Sequence, residues 1–152
     1  FDIKIILEEF INGREIECSV LGNDKPIASI PGEVIVKDDF YSYNTKYIDD
    51  NGAIIQIPAK ISQKTIKDIQ RISVKTFQAL SCEGLGRVDS FLTKSGKVYV
   101  NEINTIPGFT SISMYPKLWE ASGLPLPKLL DKLIELAIER FEKEKKLKTT
   151  VE

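Results

Sequence analysis

Apolar and polar residues alternate from Ile3 to Phe10 and again from Glu15 to Leu21, the period of half-buried strands. Gly22-Asn23-Asp24 is a turn signal, and Lys25 to Ile30 reads as the returning strand of a hairpin. Pro31-Gly32 interrupts the pattern before a short strand from Glu33 to Val36. The period then changes. Ser62 is an N-cap for a helix to about Leu80, with Ile66, Ile69, Ile72, Phe77 and Leu80 as its inner face. Pro116 opens a short helix through Trp119, closed by Gly123. Pro127 opens the last helix, with Leu129, Leu130, Leu133, Ile134, Ala137, Ile138 and Phe141 predicted to face inward. The run from Glu142 to Lys146 is its solvated, fraying end. This order of elements predicts an α+β fold with an antiparallel sheet flanked by helices.

One stretch fits neither period. Between Lys37 and Ile48 lie Tyr41, Tyr43 and Tyr47 among several loop-forming residues. So many aromatics in a linker would be unusual, so an ordered excursion is expected, either pinned by buried rings or carrying function.

Composition narrows the chemistry. A 152-residue chain with 42% hydrophobic residues can bury a core and is too apolar for disorder. Its 21 basic and 22 acidic residues give a net charge of −1, which argues against nucleic acid or a membrane surface as partner. There is no histidine, so serine or cysteine nucleophiles paired with histidine, HExxH zinc sites and histidine bases are excluded within the chain. Cys18 and Cys82 are isolated thiols without ligand spacing, as expected of a reduced, cytoplasmic domain. No apolar run is long enough to span a bilayer. The chain opens on Phe1 in strand-like alternation, and its only Met is Met114, so a piece of a longer protein is expected.

The informative stretch runs from Gly86 to Asn104. A two-residue turn at Ser95-Gly96 puts Lys94 opposite Lys97, Asp89 opposite Glu102 and Arg87 opposite Asn104, all but the lysines on one face. Opposed carboxylates repel unless a positive charge lies between them. Arg87 relieves part of that repulsion. A divalent cation relieves more, and Asp, Glu and Asn without His or Cys form an all-oxygen shell suited to Mg²⁺ or Mn²⁺. A polar surface on which Arg87 bridges two acids is the alternative. Beyond Asn104 the chain enters Thr105-Ile106-Pro107-Gly108-Phe109-Thr110, where Gly108 permits close backbone approach to an anion.

With these residues in view, the chain resembles the ATP-grasp superfamily, and within it the C-terminal part of bacterial D-alanine–D-alanine ligases. The resemblance rests on Glu8-Glu9-Phe10-Ile11-Asn12-Gly13-Arg14-Glu15, Tyr41 to Tyr47, Gly86-Arg87-Val88-Asp89, Asn101 to Thr110, and Ser113-Met114-Tyr115-Pro116. It implies residues 1–12 as the end of a central ATP-binding lobe with its hinge, 13–145 as the ATP-grasp C-terminal catalytic lobe, and 146–152 as a frayed tail. It implies an adenine pocket at Glu8, Glu9, Phe10 and Ile11, with Glu15 on the ribose. Asp89, Glu102 and Asn104 would hold two Mg²⁺ or Mn²⁺ ions, with Arg87 and the Gly108 N–H near the transferred phosphate and oxyanion. Lys46 and Tyr47 match a loop closing over the γ-phosphate, and Ser113 and Met114 match positions holding the second substrate's carboxylate. Ser90 departs from the family's usual apolar residue.

The implied activity is ATP-dependent ligation of two D-alanines through an acyl phosphate, for peptidoglycan synthesis and cell shape. The implied partners are ATP, D-alanine, the missing N-terminal and central domains, and a second copy in a homodimer. Without those domains the piece is expected to be inactive alone. Ligation of D-lactate or D-serine is the alternative within the fold, and a non-catalytic binding module the alternative outside it.

Overall fold

The computed structural model describes residues 3–36, 53–110 and 112–147. The tyrosine-rich stretch of 37–48, with Lys46 and Tyr47, lies outside the described residues. The elements are β1 (Gly13–Gly22), β2 (Ile27–Ala28), β3 (Gly32–Val36), β4 (Ala53–Gln56), α1 (Gln63–Ala79), β5 (Gly84–Thr93), β6 (Val98–Asn104), α2 (Met114–Ala121) and α3 (Leu126–Glu144). The strands form one sheet in the order β4-β3-β1-β5-β6, with β2 paired to β1, and every pair is antiparallel. The expected α+β class is the observed one.

The sheet is organised by the ladder between β1 and β5, which runs unbroken from Gly13 opposite Thr93 to Gly22 opposite Gly84. Strict alternation on both strands sorts their side chains onto two opposite faces. Ile16, Cys18, Val20, Val88 and Leu92 are buried on one face, beneath Ile69 and Phe77 of α1. Ser62 caps that helix as predicted, its Oγ accepting from the Thr65 backbone N–H at 3.1 Å. The inner face of α1 is narrower than predicted. Ile69, Ser73 and Phe77, one turn apart, are buried, whereas Leu80 is 59% exposed at the C-cap.

On the other face Leu21 packs with Tyr115, Trp119 and Leu129 of α2 and α3. These helices cover only one end of that face. Asn23 fixes α3 to the turn: its amide donates to Leu136 O and to Glu139 Oε2, both at 3.0 Å, while its Oδ1 accepts from the Gly84 N–H.

Five expectations are corrected. Residues 4–12 form no strand; Ile5 and Leu7 are 97% and 100% exposed, so alternation had no partner strand to satisfy it. The returning strand predicted for Lys25–Ile30 shrinks to two residues because Pro26 lacks an N–H to donate. Strand β4 is added: Ala53 to Gln56 pairs with β3 at the sheet edge. Finally, α3 turns Leu129, Leu133 and Leu136 inward, while Leu130, Ile134, Ile138 and Phe141 lie on its exposed side, and α2 starts two residues before Pro116.

Two buried groups make the packing testable. Ser90 Oγ is buried against α1's side of the sheet with no hydrogen-bond partner among the described residues. Removing an unpaired buried hydroxyl relieves its desolvation cost, so Ser90→Ala should raise the urea-unfolding free energy by about 1 kcal/mol. Burial pushes the Cys18 thiol up to about 11, opposed only in part by Ser73 and Ser29. At pH 8 iodoacetamide should therefore leave Cys18 unmodified in the folded chain and alkylate it after denaturation, as peptide mass mapping would report. Because the folded thiol ionises later than the unfolded one, Cys18 contributes stability below pH 9 that is lost as pH rises toward 11.

Candidate active site

The uncovered end of the second sheet face carries charge. Arg87 pairs with Asn104 and Asp89 with Glu102 across β5 and β6, so the predicted juxtaposition is present. On the other side of β5, Glu17 of β1 is the register partner of Asp89. Three carboxylates and one guanidinium therefore stand in a row across three strands, with a net charge of −2.

The turn that delivers this register differs from the one expected. Gly96 donates its N–H to Thr93 O at 2.9 Å and has φ of 82°, and Thr93 pairs with Lys97. The loop is thus the three residues Lys94-Ser95-Gly96, a tight turn followed by a left-handed glycine. That shifts the pairing by one residue: Leu92 faces Val98 and Ser90 faces Val100. A bulge between Asp89 and Ser90 then inserts Asn101 and restores Asp89 opposite Glu102.

Hydrogen bonds knit the row together. Arg87 donates from Nε to Asp89 Oδ1 and from Nη2 to Asp89 Oδ2, both at 2.8 Å, and its Nε lies 2.9 Å from Glu17 Oε2. Asn104 Nδ2 donates to Asp89 Oδ2 at 3.0 Å and to Glu102 Oε1 at 3.2 Å. Burial works against the Arg87 charge, but the bonds to Asp89 and the charges of Glu17, Asp89 and Glu102 outweigh it and hold the guanidinium firmly protonated.

Two clefts meet on this face. The smaller, about 170 Å³, is lined by Glu15, Glu17, Asp89, Phe91, Asn101 and Glu102, together with Ile16 and Ser90. The larger, about 530 Å³, lies between Glu8, Glu9, Phe10 and Ile11 on one side and Phe91, Tyr99 and Val100 on the other. They share Glu15, Phe91 and Asn101, so the segment predicted to line an adenine pocket opens onto the acidic row.

The loop after β6 closes the far end. Pro107 is buried, and the Phe109 ring lies 5.7 Å from that of Tyr115. A Cβ on Gly108 would stand 3.0 Å from Ser113 Oγ, so these two predicted residues are neighbours. Ser113 Oγ accepts from the Thr110 N–H at 2.9 Å, and Ser113 is also the N-cap position of α2. The Met114 side chain is 5% exposed and packs over Gly32, the register partner of Glu17. Met114 thus anchors the helix beside the acidic row with its side chain, leaving its backbone N–H at the helix start.

Asp89, Glu102 and Asn104 offer only oxygen and amide groups, the donor chemistry of a hard divalent cation. Among the described residues no group of three His, Cys, Asp or Glu side chains is placed to hold a metal ion by itself. The set is half a shell: the carboxylates of Asp89 and Glu102 line a negatively charged cleft, with the Asn104 amide hydrogen-bonded to both and the remaining positions open to water or phosphate. It fits Mg²⁺ or Mn²⁺, provided the Asn104 amide turns its carbonyl oxygen toward the ion.

Sequence reasoning missed Glu17. Its signal was present, since it lies two residues after Glu15 in the same alternating strand. The missing step was the pairing of β1 with β5, which no local pattern specifies.

An antiparallel sheet with α1 on one face, and with α2 and α3 beside a cleft of oxygen donors on the other, is the architecture of the ATP-grasp fold. The chain belongs to the D-Ala–D-Ala ligase C-terminus family, which it matches over residues 1–135. It is 57% identical over 150 residues to a D-alanine–D-alanine ligase from Oceanobacillus iheyensis, covering 99% of this chain and 41% of that protein. The chain thus spans well under half the length of this curated relative. Among solved structures, the D-alanine–D-alanine ligase of Coxiella burnetii superposes with a TM-score of 0.79 at 51% identity, covering 91% of this chain and 36% of that one. The VanG D-Ala:D-Ser ligase of Enterococcus faecalis gives 0.75 at 44% identity, covering 84% and 37%. A Bacillus anthracis D-alanine–D-alanine ligase complexed with ATP gives 0.72 at 33% identity, covering 90% and 43%.

Like charges facing each other across strands cost stability. In the absence of divalent cations, Glu102→Gln should therefore raise the urea-unfolding free energy by about 0.5 kcal/mol, with the Asn104 hydrogen bond retained.

Proposed function

We propose that this chain is the catalytic lobe of an ATP-dependent ligase that joins two D-alanines, with residues 1–12 as its hinge. The observation that carries this reading is the hydrogen-bonded cluster of Arg87, Asp89, Glu102 and Asn104, whose two carboxylates line a cleft that meets the cleft of Glu8 to Ile11.

In this reading Glu8 accepts from the adenine amino group, and Glu9, Phe10 and Ile11 offer backbone and flanking contacts. Glu15, shared by both clefts, accepts from the ribose hydroxyls. Asp89, Glu102 and Asn104 hold two Mg²⁺ or Mn²⁺ ions. When bound, such ions neutralise the charge that otherwise repels a carboxylate from a triphosphate.

The carboxylate of the first D-alanine attacks the γ-phosphorus; the bond to the β,γ-bridging oxygen breaks, and acyl phosphate and ADP form. The amine of the second D-alanine then attacks the acyl carbon. Phosphate leaves from the tetrahedral intermediate, and a proton leaves the nitrogen. Arg87 stabilises the transferred phosphoryl group and the oxyanion because its charge is fixed and its carboxylate partners orient it. The Gly108 N–H supplies a second donor to the oxyanion. The start of α2 at Ser113 and Met114 receives the second substrate's carboxylate, where backbone N–H groups point outward. Lys46 and Tyr47, outside the described residues, enter this reading only through the resemblance, as groups acting on the γ-phosphate. Placement in cytoplasmic peptidoglycan precursor synthesis, as a homodimer, completes the proposal.

The VanG neighbour supports a second reading, in which D-serine replaces the second D-alanine. The test is a chimaera in which this chain replaces the matching 150 residues of the Oceanobacillus iheyensis ligase. D-Alanine alone should sustain ADP release and yield the dipeptide by mass spectrometry; release only with added D-serine would select the second reading. Glu102→Gln should lower ADP release at least about 100-fold through loss of a metal ligand. Near-normal turnover would overturn the metal assignment.

A further inference from the structure

The Arg87–Asp89 pair presents a conflict. Both oxygens of Asp89 accept from the guanidinium, and Oδ2 also accepts from Asn104. A carboxylate engaged in this way has little left to offer a cation. If Asp89 is to ligate a metal, Arg87 must loosen its grip, and a buried guanidinium released without another acceptor carries a large desolvation cost. The structure holds the alternative acceptor in place. Glu17 Oε2 stands 2.9 Å from Nε, against 2.8 Å for Asp89 Oδ1, although the N–H is directed at Asp89. The side chains of Glu17, Arg87 and Asp89 are all 14% exposed, and Glu17 lines the same cleft.

We infer that Glu17 is a positioning residue that takes over the Arg87 guanidinium when Asp89 is engaged by a divalent cation. This rests on the metal reading above and adds a residue which that reading did not require. The exchange is short: Nε–H swings from Asp89 Oδ1 to Glu17 Oε2, two atoms already at contact distance from the same nitrogen. The guanidinium keeps charged partners throughout, because Nη2 stays on Asp89 Oδ2 while Oδ1 is freed for the ion, so no buried cation is stranded. It also stays on the open face, where Arg87 is needed for the transferred phosphate. Neighbouring strands hold the acceptor rigidly, since Glu17 is flanked by Gly32 of β3 and Asp89 of β5 in continuous ladders. Gly32 leaves room there for Met114 and Leu118, which wall off this side of the row.

A simple charge effect would also make Glu17 favour cation binding, so the test separates the two. Mn²⁺ binding to the 152-residue chain is followed by the electron paramagnetic resonance of free Mn²⁺ in a double-mutant cycle. Glu17→Gln should weaken Mn²⁺ binding about 10-fold, the scale of losing a partner that orients a ligand. In an Arg87→Gln background the same change should cost less than about 2-fold, because no guanidinium remains to be held. Equal losses in both backgrounds would reduce Glu17 to a bystander charge and overturn the inference. Failure of the unsubstituted chain, and of its Asp89→Asn control, to differ in Mn²⁺ binding would overturn the metal reading instead. A second readout needs no affinity. The Arg87 Nε–H resonance should exchange slowly with and without Mg²⁺ in the unsubstituted chain. It should exchange rapidly in Glu17→Gln only when Mg²⁺ is present. Slow exchange in that variant under both conditions would refute the handover, and circular dichroism verifies that each variant is folded.

Discussion

Everything at this site depends on one guanidinium placed among three carboxylates on a twisted sheet. Glu17, Asp89 and Glu102 sit on adjacent strands at the same level, where like charges repel. Arg87 offsets only part of that charge. The arrangement persists because the other face of the same strands is buried: Ile16, Cys18, Val20 and Val88 lie beneath α1. A one-residue slip of β1 against β5 would relieve the acids but turn those apolar residues to water and bury the charges. Burying one Ile or Val contributes about 2 kcal/mol, so several of them outweigh a repulsion between partly solvated acids. The hydrophobic face enforces an electrostatic arrangement the polar face would not choose.

The second face is divided at a definite line. Leu21 and Leu85 pair at one end of the β1–β5 ladder and are covered by α2 and α3. Ser19, opposite Arg87, lies at the boundary and donates to Tyr115 O at 3.4 Å. Beyond it the face opens into the acidic row and its cleft. Tyr115 ties the boundary from above, its hydroxyl donating to Val20 O at 3.0 Å while its ring supports Phe109. The Gly108 loop and the start of α2 are therefore set against the acidic row by the same side chain that seals the core.

Much of this was legible in the chain. Period, N-cap and turn residues located α1, β1 and the β5–β6 hairpin, because those signals are local: Ser62 and Thr65 are one turn apart. The family's motifs supplied the remaining candidates. What escaped was non-local. Ile3 to Phe10 reads as a strand, yet a strand needs a neighbour, and Ile5 and Leu7 stand in solvent. On α3, apolar residues ring enough of the helix that composition does not say which stripe faces in; packing on Leu21 and Tyr115 selects Leu129, Leu133 and Leu136. Glu17 went unnoticed because its importance comes from Asp89, seventy-two positions away in sequence and adjacent in space.

The Asp89–Glu102 pairing itself was expected from the wrong turn, and the reason it nevertheless occurs says how the site is built. The turn of Lys94, Ser95 and Gly96 displaces the register by one residue. Continued unbroken to Asp89, that register would set Asn101 opposite it and turn Glu102 toward the face covered by α1, where an unpaired carboxylate is costly. The bulge at Asn101 cancels the displacement at the last position before the acids. Bulges also increase local twist and re-aim the side chains that follow. Here the extra residue is not idle, since Asn101 lines both clefts where they join. Turn and bulge act as a matched pair: the hairpin can use a favourable glycine turn, and the two carboxylates still meet. The metal-binding candidates are thus set by backbone defects placed between the turn and the site, rather than by regular strand geometry.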